Sequence, residues 1–143
     1  MRGNGTKEST PNRRVLVIDD ERIIADTLTE ILELHGFEAT PLYSGESALE
    51  WVENSRPDIV LSDIVMHQVD GVETAVRIRS LHPECRVILF SASLVSSANR
   101  RKINSLGFEF LQRPLHPKDL LAYVLGNSEQ AAKRPPRPYK SGR

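Results

Sequence analysis

Short aliphatic runs and longer helical patterns alternate along most of the chain. "RVLVID" (14–19) is a compact run rich in β-branched residues, which reads as a buried strand. Ile24, Leu28, Ile31, Leu32 and His35 then recur at helical spacing, and Gly36 stands where that helix should stop. "FEATPL" (37–42) is a weaker second strand, and its Pro41 places it at a strand end or a sheet edge. Ser44 is positioned to cap a helix that carries Ala48, Leu49 and Val52. "DIVLSD" (58–63) is the third strand. Asp70 and Glu73 have the spacing of a capping box before a helix with Val72, Val76 and Leu81. "RVILFSA" (86–92) is the fourth strand, and a helix of mixed propensity is expected over about 95–105. "FEFLQ" (108–112) is the fifth, and Pro117 suits the first turn of a last helix with Leu120, Leu121, Val124 and Leu125.

Five strand–helix units follow one another. The strands are continuously apolar rather than alternating, which implies a sheet covered on both faces. Right-handed crossovers then make an α/β fold with a doubly wound, five-stranded parallel sheet. The flavodoxin-like strand order 2-1-3-4-5 puts the first and third strands side by side. The ends of the chain break the pattern. Residues 1–12 are polar and read as a disordered arm. The stretch "NSEQAAKRPPRPYKSGR" (127–143) reads as a disordered, basic, proline-containing tail. One domain over 13–126 is expected between them.

Composition narrows the function. The 143 residues carry 19 Lys plus Arg against 19 Asp plus Glu, so no global basic excess points to direct DNA binding. No apolar stretch approaches a membrane span, and the first residues lack the apolar centre of a secretory signal, so a cytoplasmic protein is expected. The single cysteine, Cys85, excludes an internal disulfide and a multi-cysteine metal site, and reads as a reduced thiol in a loop. Neither a dinucleotide fingerprint nor a P-loop occurs.

In open α/β sheets ligands bind beyond the carboxyl ends of the strands. Here those ends carry Asp19-Asp20, Asp63, Ser91 and Arg113-Pro114. Each has an ordinary explanation alone: aspartates cap helices, serines bond backbone, arginines face solvent. Together they form an acidic cluster with a hydroxyl and a cation beside it. Two carboxylates ~4 Å apart repel by about 4 kcal/mol at an effective dielectric of ~20. A proton or a cation must relieve this, and a hard divalent ion with oxygen ligands, Mg²⁺, fits. Such a group of residues is suited to phosphoryl chemistry, with a carboxylate as the acceptor.

At this point the chain resembles the receiver domain of bacterial two-component response regulators. The motifs are "VLVIDDE", "PDIVLSDIVMHQVDG", "VILFSAS" and "FEFLQRPL", and the resemblance covers about residues 13–126. It implies that Asp63 is the phosphoacceptor, served by a histidine kinase or phosphotransfer protein in a phosphorelay. It implies Asp20, Asp63 and the Val65 backbone carbonyl as Mg²⁺ ligands, with Asp19 acting through water. Ser91 matches the switch hydroxyl and Phe110 the aromatic that rotates with it. Both would bias the surface of the fourth helix, fifth strand and fifth helix, where an output protein would bind. The only chemistry implied is self-phosphorylation and autodephosphorylation, not enzyme turnover of other substrates.

The chain departs from the family pattern at two positions. Arg113 stands where the family usually has lysine, and Arg and Lys differ in reach and geometry. His67 replaces a proline that stiffens the third loop. Pro114 matches a position usually preceded by a cis bond, so a cis Arg113–Pro114 peptide is expected. In the family it resembles, the position two residues past the phosphoacceptor helps control water access to the acyl phosphate, so the apolar Val65 is expected to slow hydrolysis. The tail is too short and polar for a winged helix, so a stand-alone receiver is expected, as a monomer or a phosphorylation-dependent homodimer. The alternative is a pseudoreceiver, a binding module that works without phosphorylation. A phosphohydrolase is disfavoured because Val65 replaces the second acid it would need.

Overall fold

The computed structural model describes residues 13–66, 70–91, 94–112 and 117–125. His67, Arg113 and Pro114, and both terminal segments, lie outside them. Five strands are present: β1 (Arg14–Ile18), β2 (Glu38–Leu42), β3 (Ile59–Asp63), β4 (Arg86–Ser91) and β5 (Glu109–Gln112). Each is followed by a helix: α1 (Arg22–Leu34), α2 (Gly45–Asn54), α3 (Gly71–Leu81), α4 (Ser97–Ser105) and α5 (Pro117–Val124). All strand pairs are parallel, in the order β2-β1-β3-β4-β5. This is the expected doubly wound sheet. Pro41 sits in β2, an edge strand, where its missing N–H leaves only one ladder to serve.

Side chains alternate across the sheet, and each set meets its own helices. Val15, Val17, Ile59, Leu61, Ile88 and Phe90 face α1 and α5, meeting Ala25, Leu28, Leu32, Leu120 and Val124. Leu16, Ile18, Val60, Val87 and Leu89 face the other way, against Ala48, Val52, Val72, Ala75, Ile78 and Ile103 of α2, α3 and α4. The central strands are apolar on both sides because both sides are covered.

Helix ends follow the local chemistry. Ser44 caps α2 by accepting from the Ser47 N–H at 3.0 Å, and Ser96 caps α4 by accepting from the Asn99 N–H at 3.1 Å. Asp70 caps α3 through the Val72 N–H, while Glu73 lies exposed in the first turn. Gly36 follows α1 at φ +92°, a conformation that disfavours side chains. The apolar spacing misplaced the inner face of α3. Val72 is buried as expected, but Val76 and Leu81 are exposed, and the helix buries Ala75 and Ile78 instead. His35 is likewise exposed, its ring Nδ1 2.9 Å from the Ile31 carbonyl at the end of α1. Leu125 falls just past α5 and is also exposed.

The strands' amino ends are tied by a fully partnered charge. Arg86 donates from Nε and Nη2 to the two oxygens of Glu109 at 2.8 and 2.9 Å. The same guanidinium donates to the carbonyls of Tyr123 (3.2 Å) and Val124 (3.5 Å), closing the last turn of α5. Asp58 accepts from the Arg14 N–H at 2.8 Å at this edge. Cys85, just before β4, is a free, buried thiol, and burial pushes its pKa up. It belongs to the core cluster.

Candidate functional site

The carboxyl ends of β1 and β3 are adjacent because Ile18 pairs in register with Ser62. Asp19 follows β1, and its N–H donates to the Leu42 carbonyl at 3.1 Å, so the chain is held to β2 as it leaves the sheet. Asp63 ends β3 opposite Phe90 of β4. Its neighbours are also fixed: the Ser62 hydroxyl donates to the Asp63 carbonyl, and the Ile64 N–H donates to the Phe90 carbonyl. Asp19, Asp20 and Asp63 thus converge, each with a carboxylate oxygen within 4.8 Å of the others. The adjacency read from the strand order is present.

Asp19 is the buried member, at 1% exposure; Asp20 and Asp63 are partly exposed. One Asp19 oxygen accepts from the Glu21 N–H at 2.9 Å. The other, Oδ2, is buried with no hydrogen-bond partner. Burial, then the charge of Asp63 and those of Glu21 and Asp20, push the Asp19 carboxyl up to about 7, against the Glu21 N–H, which lowers it. Glu21, the N-cap of α1, makes no side-chain cap hydrogen bond. A buried orphan oxygen beside two further carboxylates suits a hard cation, so these residues fit Mg²⁺. Across the mouth, Arg22 lies over the Tyr43 ring at 4.1 Å and the Tyr43 hydroxyl donates to Asp26 at 2.5 Å, joining α1 to the chain beyond β2.

Of the remaining expected residues, Ser91 and Val65 lie at this edge, and Phe110 lies within β5. Ser91 ends β4 and is fully buried, and its carbonyl accepts from the Gln112 side-chain amide at 3.1 Å. Phe110 lies on β5 in register with Leu89 and is half-buried. Val65 is 57% exposed, and its N–H donates to Asp63 Oδ1 at 3.3 Å. Gly71 escaped the sequence reading. A Cβ there would lie 2.2 Å from the Asp63 carbonyl oxygen and 2.8 Å from Ile64 Cα. Its own N–H donates to the Ile64 carbonyl at 2.9 Å. The start of α3 is thereby pressed against the backbone that carries Asp63. The one available signal was the Asp70-Gly71 pair at a helix start.

The doubly wound sheet, with three carboxylates at its switch point, is a flavodoxin-like α/β fold. More narrowly, the family model for the response regulator receiver domain matches residues 15–125. The chain belongs to that family. It is 29% identical over 110 residues to the DNA-binding transcriptional regulator NtrC of Azospirillum brasilense, covering 77% of this chain and 23% of that protein. The chain spans less than half the length of such curated relatives. A CheY-like receiver domain protein from Methanospirillum hungatei superposes with a TM-score of 0.77 at 25% identity, covering 87% of this chain and 99% of that one. TrrA of Thermotoga maritima, solved with Mg²⁺ and BeF, superposes with a TM-score of 0.68 at 31% identity, covering 79% and 96%. No helix among the described residues is long and apolar enough to cross a membrane.

Proposed function

We propose that this chain is a phosphoacceptor receiver whose Asp63 takes a phosphoryl group from a histidine kinase or phosphotransfer protein. The observation that carries the reading is the convergence of Asp19, Asp20 and Asp63, with Asp19 Oδ2 buried and unpartnered. The Mg²⁺–BeF complex of TrrA, a relative, supports the same assignment. One Asp63 carboxylate oxygen bonds to phosphorus as the P–N bond to the donor imidazole breaks, leaving an acyl phosphate and a free imidazole that takes up a proton.

Asp20, Asp63 and the Val65 carbonyl would hold Mg²⁺, with Asp19 acting through water. When bound, the ion screens the carboxylates from one another and supplies positive charge to the phosphoryl oxygens. Arg113 contributes a second positive charge and Ser91 a hydroxyl donor. Ser91 and Phe110 then shift the α4–β5–α5 face between two arrangements, which controls binding of an output protein. The exposed, apolar Val65 side chain restricts water and lengthens the life of the acyl phosphate.

The substitutions Arg113 for lysine and His67 for proline favour a second reading, a pseudoreceiver that binds partners without phosphorylation. Intact mass after incubation with Mg²⁺ and a small phosphodonor separates the two. A phosphoryl adduct on the wild type that is lost in Asp63→Asn is expected. A wild type that takes no adduct from any donor or kinase favours the pseudoreceiver.

A further inference from the structure

The fourth helix is the most polar of the five. Along Ser97–Ser105 it buries only Ile103, and Arg100, Arg101 and Lys102 stand exposed in succession. No acid occurs within it, so no helical neighbour neutralises them. One of the three has a defined contact. The Arg100 guanidinium carbon lies 5.4 Å from the centroid of the Phe110 ring. That ring also packs against the core on the α2–α4 side of the sheet. Phe110 is thus held between the core and a cation on α4.

We propose that Arg100 is a latch on Phe110: stacked on the ring, it favours the half-buried position and opposes inward rotation. The proposal rests on the reading of Phe110 as the switch aromatic. A guanidinium is attracted to a ring only while the ring presents its face within about 6 Å. Rotation towards Ser91 gives up that contact, so phosphoryl chemistry at Asp63 works against Arg100. A cation–π contact at an exposed site biases an equilibrium by a factor of about 2–5. Arg101 and Lys102 are turned about 100° and 200° further round the helix, which makes Arg101 an internal control of equal charge.

The test uses the full chain, Mg²⁺ and beryllofluoride as the phosphoryl mimic, followed by NMR of the Phe110 ring. Arg100→Ala is expected to bind beryllofluoride about 2–5-fold tighter than wild type. In the free variant the Phe110 resonances should already lie part-way towards their bound positions. Arg100→Lys should fall between, and Arg101→Ala should match wild type. Unchanged or weaker affinity in Arg100→Ala, with unmoved ring resonances and an unaltered melting temperature, overturns the latch. If Arg100→Ala unfolds, Arg100→Gln carries the same expectation. Wild type that takes up no beryllofluoride overturns both the latch and the phosphoacceptor reading. A ring that stays still on saturation overturns the latch through the role of Phe110 alone.

Discussion

Where β4 and β5 begin, Arg86 meets both oxygens of Glu109 and the last carbonyls of α5, so each charge in the pair is answered. Where β1 and β3 end, Asp19 is more deeply buried, yet one of its oxygens has no partner and its near neighbours are acids. The two sites share one sheet and lie at opposite edges of it. The first arrangement stabilises the fold by itself. The second opposes folding until something positive arrives. Satisfied charge at one edge and frustrated charge at the other is a physical signature of which edge is built for a ligand.

The largest expected effect tests the frustrated edge. The Asp19 carboxyl is raised to about 7 in the folded protein, so the native state binds a proton more tightly than the unfolded chain does. Stability from this group is therefore full below the unfolded pKa and falls as pH rises from about 4 to about 7. With a chelator present, the loss is on the order of 4 kcal/mol at most. Denaturant melts at pH 5 and pH 8 should show about 3 kcal/mol of it. Asp19→Asn should flatten the difference, and saturating Mg²⁺ should restore the wild type at pH 8. A wild type whose pH dependence equals that of Asp19→Asn would refute the contrast between the edges.

Gly71→Ala comes next. The added methyl meets backbone rather than a movable side chain, so α3 or the end of β3 must shift. A loss of about 3 kcal/mol is expected in denaturant melts, together with slower adduct formation at Asp63. Arg86→Ala should cost less, about 2 kcal/mol, because Glu109 is partly exposed and recovers water. Adduct formation should then be unchanged, since the clamp lies at the other edge. A fall in both quantities would mean that the two edges are coupled.

Much of this arrangement could be read along the chain, for identifiable reasons. Continuous apolar runs such as Val15–Ile18 and Ile59–Leu61 signal burial on both faces, and parallel order then brings Asp19 and Asp63 together. What escaped depends on residues distant in sequence meeting in space. Arg86 and Glu109 pair across a register that no local pattern encodes. Gly71 matters through contact with the backbone of Asp63, eight positions earlier. The inner face of α3 was misjudged because Val76 and Leu81 are more apolar by type than Ala75, while position relative to the sheet decides which is covered.

The clamp on α5 also sets where force enters the molecule. Helix α5 is 8 residues long, about 12 Å, and Arg86 pins its far end at the edge opposite the carboxylates. The chain continues from that pinned end. A pull on any cargo joined there would load the Arg86–Glu109 pair before it reached Asp63. The bonds from Arg86 to the last α5 carbonyls are then expected to give way before the acidic pocket is disturbed.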